Sequence, residues 1–427
     1  MANAYAKTVL DNGLRVVTAD MPAAKSVAVF LMLAAGSRYE TRETNGIAHF
    51  AEHMFFKGTE SRPTARDIAG EIDAIGGEFN AFTGKEYTGY YVKCAAEHRD
   101  TALDVLVDML RHSKFDPEEI EREKGVIVEE MNMYYDTPRD YVDGVYDDLL
   151  FGDQPLGWDI IGRKETVRAA TREAFLDYLD RWYRAPRMVA GMAGAVGGDA
   201  VDRFAELLGD VRDGATGSPE PARWEQDEPR VKIHTKASDQ AHVRLGVHSY
   251  PIGTPDRYAL MLLATALGGG MSSRLFTEVR ERRGLAYYIF GHNQGYTDAG
   301  TLFAQGGVDI NRIEDAVETI VREFGRIAAA PLDADELEKA RNFAKGRLVL
   351  SLEDPKGMIS FALRDEVLEG KHREPDEVLA ALDRVTLEDV QRVARDIIRT
   401  DRLNLALIGP FDDPARFEGL LSVEVPA

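Results

Sequence analysis

The sequence predicts an α+β protein made of two related domains, and three observations carry that expectation. The chain is too long for one ordinary core, its middle holds a stretch without periodicity, and the segments that close its two halves repeat one another. At 427 residues it exceeds the size at which a single hydrophobic core stops growing. A hydrophobic content of 44% beside 29% charged residues is a globular composition, which excludes a disordered or fibrous chain.

The stretch without periodicity runs from Gly209 to Arg230, GDVRDGATGSPEPARWEQDEPR. It is rich in Gly, Pro and acidic residues and reads as an exposed linker. The expected division is therefore a first domain over 1–212, a linker over 213–230 and a second domain over 231–427. The repetition lies in Thr171–Val196 and Thr386–Pro410: Thr171 matches Thr386, Arg187 matches Arg402 and Gly194 matches Gly409, each 215 residues apart. Each segment reads as a capped amphipathic helix, a polar turn and an apolar strand ending in Gly. The apolar runs Val27–Met32 and Val243–Val247 begin the halves in the same way. Chance similarity of two helix–strand units is a poorer account than internal duplication.

Charge narrows the function classes. There are 73 Asp and Glu against 52 Lys and Arg, a formal net charge of −21. Such a surface repels nucleic acid and anionic lipid, so neither is an expected partner; basic peptides are weakly favoured. The single cysteine, Cys94, excludes an internal disulfide framework and reads as a core thiol. Met1–Leu14 lacks an apolar run of signal-peptide length, and no run approaches the roughly 18 apolar residues that span a bilayer. A cytoplasmic protein without a membrane association is expected.

One constellation carries chemistry. His49-Phe50-Ala51-Glu52-His53 follows the turn residues Thr44-Asn45-Gly46 and opens a helical stretch. On a helix, His49 and His53 lie about 40° apart and Glu52 about 60° to the other side of His49. Two imidazoles on one face suit Zn²⁺, and an adjacent carboxylate suits the proton of an attacking water. Two unrelated histidines on a helix are the bland alternative, and a catalytic zinc normally takes three protein ligands. The stretch Ile120–Tyr135, IEREKGVIVEEMNMYY, offers the third. Glu130 falls in the apolar face formed by Ile120, Val126, Ile127, Met131 and Tyr134, whereas Glu129 points about 100° away. A carboxylate in a buried stripe costs several kcal/mol unless paired or coordinated. Glu130 is therefore read as the third ligand, and Glu123, two turns earlier, as the group that orients a ligand. Pairing of both carboxylates with buried arginines is the alternative.

With these residues in place, the chain resembles the pitrilysin/insulinase family of zinc peptidases. The closest likeness is to its half-length subunits, the mitochondrial processing peptidases and their bacterial relatives. Gly46–Met54 with Phe56-Lys57-Gly58-Thr59 resembles the family's active-site helix, and Glu129-Glu130 before Asp136-Thr137-Pro138 its third-ligand region. The resemblance implies two domains, each a mainly antiparallel sheet packed with helices, together forming half of a clamshell. Gly76–Thr83 resembles the family's edge strand, which implies substrate-binding roles for Gly77, Phe79, Asn80, Ala81 and Phe82 through strand addition. Arg280 and Tyr287, within Arg280–Tyr287, resemble the segment that holds substrate carbonyls and the oxyanion. Seven residues apart, they either share a helix face or meet across the turn at Gly284. The second half carries Ala266–Met271 where the metal motif would recur. Phe55, beside His53, departs from the smaller residues common there and is expected to narrow the pocket.

The expected activity is endopeptidase hydrolysis of extended peptides in a dimeric chamber, with one zinc per chain on His49, His53 and Glu130. Glu52 is the expected general base and acid, and Arg280 and Tyr287 the expected oxyanion donors. A second subunit, identical or related, is the expected partner. The rival is a non-catalytic or partner-dependent subunit of a heterodimeric peptidase.

Overall fold

The computed structural model describes residues 4–214 and 217–423, so Ala215 and Thr216 of the expected linker lie outside the described residues. The first half runs β1 (Ala6–Val9), β2 (Arg15–Asp20), β3 (Ser26–Leu33), α1 (Ile47–Phe55), α2 (Ala65–Ala74), β4 (Glu78–Thr83) and β5 (Thr88–Ala95). It continues with α3 (Arg99–His112), α4 (Pro117–Asp136), α5 (Pro138–Phe151), α6 (Lys164–Ala169), α7 (Arg172–Trp182), β6 (Met188–Gly194) and α8 (Ala200–Leu208). The second half runs β7 (Arg230–Thr235), β8 (Gln240–His248), α9 (Arg257–Gly268), a π-helical turn Phe276–Glu281, β9 (Ala286–Gly295) and β10 (Gly300–Asp309). It closes with α10 (Ile313–Ala329), α11 (Ala334–Ser351), α12 (Pro355–Glu369), α13 (Pro375–Arg384), α14 (Leu387–Ile397), β11 (Asn404–Gly409) and α15 (Ala415–Glu418).

The duplication is present in the sheets. Strand order is β1-β2-β6-β3-β5-β4 in one and β7-β11-β8-β10-β9 in the other, the same order apart from the added β1. In both sheets the pair joining the first strand of the repeat to its last is parallel, β2 with β6 and β7 with β11. The other pairings are antiparallel. The matched residues occupy matched places. Thr171 and Thr386 each cap a helix, accepting from the backbone N–H of Ala174 and Asp389. Gly194 and Gly409 each end a fully buried strand. A threonine cap and a glycine stop are the residue types such helix–strand units require.

The compact units do not follow the two halves of the chain. One comprises 1–132, 159–220 and 349–375; the other comprises 133–158, 221–348 and 376–427. The boundaries at 132/133 and 348/349 fall within α4 and α11. The helix after each crossing covers the sheet of the opposite half. In the first unit Ile359, Ala362, Leu363 and Val367 of α12 pack on Val17, Ala28, Phe30 and Val189. In the second, Val142, Val145, Tyr146 and Leu150 of α5 pack on Phe303, Ala406 and Ile408. Gly191 makes room for α12, since a Cβ there would come within 2.6 Å of Leu363 Cδ1. Leu363 is fully buried. Leu363→Ala is therefore expected to destabilise the first unit by about 2–5 kcal/mol, read as a lower urea midpoint. An unchanged midpoint would show that α12 does not hold this sheet. No helix among the described residues is long and apolar enough to cross a membrane.

Candidate metal centre

Helix α1 divides its residues by face. Ile47, Ala48, Phe50, Ala51, Met54 and Phe55 are buried, which leaves His49, Glu52 and His53 together on the other side. Its first turn has no side-chain cap of its own. Gly46 sits at φ +97°, and a Cβ there would meet Gly162 Cα at 2.8 Å. The cap comes from Glu40, whose carboxylate accepts from the N–H groups of Gly46 at 2.8 Å and Ala48 at 2.7 Å, and from Asn45 Nδ2 at 3.0 Å. Burial pushes Glu40 up to about 8, against the pull of those backbone donors. The sequence reading missed Glu40: it lies outside the helix, and local spacing carries no sign of its reach.

Three potential ligands converge in the first unit. One atom from each of His49, His53 and Glu130 lies within 4.8 Å of the others. His49 Nε2 stands 3.6 Å from Glu130 Oε1, and His53 Nε2 stands 3.4 Å from Glu130 Oε2. Burial, helped by His53, lowers His49 to about 3, so its ring is the neutral imidazole a metal needs. Burial opposes the charged form of His53 too, but Glu123, Glu130 and Glu52 outweigh it and the net direction is upward. A cradle of carboxylates that favours a proton favours any other cation there. Two imidazoles and a carboxylate fit the donor set of catalytic zinc.

Behind this triangle Glu123 is buried, and its Oε1 lies 2.9 Å from His53 Nδ1. Glu129 is exposed. One expectation about the helix face is corrected. Val126 is 51% exposed, and the Glu130 side chain is 33% exposed. The buried stripe is narrower than the angular reading made it, running through Ile120, Glu123, Ile127 and Met131. Glu130 stands at its open edge, where a ligand must be reached. Phe55 is corrected as well. It is buried against the rings of Tyr90, Phe115 and Tyr183, so it belongs to the core and does not narrow the pocket.

Glu52 is half-buried, and Thr83 Oγ1 donates to its Oε2 at 2.5 Å. Burial raises its pKa and Glu130 adds to that, while Thr83 and His53 act in the other direction. Thr83 ends β4, the edge strand, which pairs on one side with β5 from Glu78↔Lys93 to Thr83↔Thr88. Gly77 precedes that strand; Phe79, Asn80, Ala81 and Phe82 lie in it, with Asn80 exposed and Phe79 packed 5.6 Å from the Phe56 ring. Thr83→Val removes a hydrogen bond to a charged group, typically worth about 1.5–3 kcal/mol, so a fall of about 10-fold or more in kcat is expected. Thr83→Ser should retain most activity, and equal loss in both would argue against the hydroxyl.

Arg280 and Tyr287 lie in the second unit and meet across the turn, where Gly284 takes φ +60°. The Arg280 guanidinium carbon is 5.6 Å from the Tyr287 ring centroid and 4.8 Å from that of Phe276. Tyr287 is the extra residue of a bulge, since Gly307 faces Tyr288 while Val308 faces Ala286. A bulge on an edge strand redirects a side chain, and Tyr287 is 77% exposed. Cys94 is buried, and burial pushes its thiol up to about 11.

Comparison with known proteins places the chain in a family. The profile of insulinase (peptidase family M16) matches residues 15–163, and that of the peptidase M16 inactive domain matches 169–343. The chain is 39% identical to a Bacillus subtilis protein named as the uncharacterized zinc protease YmxG, over 93% of this chain and 97% of that one. It is 37% identical to a similarly named zinc protease of Streptomyces coelicolor, over 95% and 90% of the two chains. In fold it is similar to a protease from Helicobacter pylori, with a TM-score of 0.88 at 20% identity, covering 96% of this chain and 100% of that one. A Pseudomonas fluorescens structure titled as a peptidase M16 inactive domain gives a TM-score of 0.87 at 17% identity, covering 96% and 98%. The chain, matched nearly end to end by such relatives, belongs to the insulinase family of peptidases, family M16.

Proposed function

We propose that the chain is a zinc-dependent endopeptidase that hydrolyses peptides held in extended form, with His49, His53 and Glu130 holding one zinc per chain. The observation that carries this reading is the convergence of Glu130, from α4, on His49 and His53, which share one face of α1 with Glu52. The relatives named as zinc proteases support it, and all the donors fall within the part matched by the insulinase profile. A bound zinc ion supplies Lewis acidity, which activates water and polarises a carbonyl. Glu52 takes the proton of the attacking water and passes it to the leaving amine. Its burial-raised pKa makes it the stronger base for that transfer, and Thr83 occupies one of its oxygens so that the other faces the reaction. The open edge of β4 lends its backbone groups to the substrate, which favours extended shape over particular side chains. Arg280 and Tyr287 keep the role of donors to substrate carbonyls and the oxyanion on the resemblance of their segment alone.

A second subunit, identical or related, completes a chamber in this reading, and the lone buried thiol suits a cytoplasmic setting. The test is metal analysis joined to cleavage of an unfolded peptide. Cleavage that disappears with a chelator and returns with zinc is expected. Full cleavage by protein verified as metal-free would refute the reading. Zinc-loaded protein that cleaves only after a related chain is added would assign it instead to a partner-dependent subunit.

A further inference from the structure

Lys57 lies four residues beyond His53, just past the end of α1, where the N–H of Lys57 still bonds to the carbonyl of Met54. That spacing returns its side chain to the face of His53. Gly58 then turns the chain at φ +130°, where a Cβ would meet the Pro63 carbonyl oxygen at 2.4 Å. Lys57 is thus held at a fixed place, and its Nζ stands 2.5 Å from Glu123 Oε2. The other oxygen of the same carboxylate, Oε1, faces His53 Nδ1. Glu123 itself sits in the apolar stripe with Ile120, Ile127 and Met131.

We propose that Lys57 is a positioning residue for the metal centre: it anchors Glu123, and Glu123 in turn orients the His53 ring. The proposal rests on the zinc reading above. Two oxygens with two separate partners give Glu123 a single orientation, which commits Nδ1 of His53 to it and leaves Nε2 toward Glu130. Without Lys57 one oxygen is left buried and unpaired, a state the carboxylate escapes by rotating away. The other histidine has no such support. Among the described residues Nδ1 of His49 is buried without a hydrogen-bond partner, so ring orientation by a protein group falls on the His53–Glu123–Lys57 relay. Groups one step behind a ligand typically account for about 10–100-fold in metal affinity.

The experiment is competition for zinc between the full chain and a chromophoric chelator, with melting of the metal-free proteins alongside. Lys57→Met, two steps behind the metal ligand, is expected to weaken zinc binding about 10-fold, the lower end of what groups one step behind a ligand account for, with the metal-free protein melting as wild type. Lys57→Arg, which keeps a donor, should recover most of the affinity. On a Glu123→Gln background Lys57→Met should add little, because the two act through one path. Wild-type affinity in Lys57→Met overturns the proposal, as does equal weakening by Lys57→Met and Lys57→Arg, or full additivity with Glu123→Gln. Wild-type protein that takes up no zinc overturns the metal reading itself, and the proposal with it.

Discussion

Glu52→Gln is expected to lower peptide cleavage by about 10³-fold while leaving zinc content unchanged. The amide has the size of the carboxylate and still offers an oxygen to the Thr83 hydroxyl, so the local packing is preserved. What it lacks is a basic oxygen for the proton of the attacking water. Glu52 is not one of the three converging donors, and its removal leaves His49, His53 and Glu130 in place. The measurement pairs cleavage of an unfolded peptide with metal content on the same sample. Cleavage at the wild-type rate in zinc-loaded Glu52→Gln would falsify its assignment as the base. Loss of zinc together with activity would instead move Glu52 into the ligand set.

The second large effect separates two adjacent carboxylates. Glu130→Ala is expected to weaken zinc binding by more than about 100-fold, since partners one step removed already account for about 10–100-fold. Glu129→Ala, a change of the same kind at an exposed position, should leave zinc binding and cleavage as they are. The contrast follows from helix geometry: one residue of rotation carries Glu129 away from the imidazoles, while Glu130 Oε1 and Oε2 face His49 and His53. Equal loss in both variants would point to a general effect of charge near the site and against coordination by Glu130.

Much of this arrangement was legible in the sequence because its causes are local. Thr171 and Thr386, with the glycines that end their strands, marked the duplication, since caps and strand stops are set by residue type at fixed spacing. His49, Glu52 and His53 shared a face because four and three residues on a helix always do. The rest depends on partners distant along the chain. Glu40 caps α1 from a preceding loop, and Thr83 reaches Glu52 from a strand end 31 residues away. No periodicity encodes either contact. The width of the buried stripe on α4 was misjudged for the same reason: Val126 is apolar, but what lies opposite it decides whether it is covered. Nothing in the local pattern of α5 or α12 says which sheet each of them joins.

That last point bears on how the protein is made. The apolar face formed by Val17, Ala28, Phe30 and Val189 is covered by a helix that ends at Glu369. During synthesis from the N-terminus, the first sheet is complete long before its cover leaves the ribosome, and α5 emerges before the strands it will cover. The first half of the chain must therefore wait with an open hydrophobic surface, a state prone to aggregation. Neither half, produced alone, contains the helix that covers this face of its own sheet.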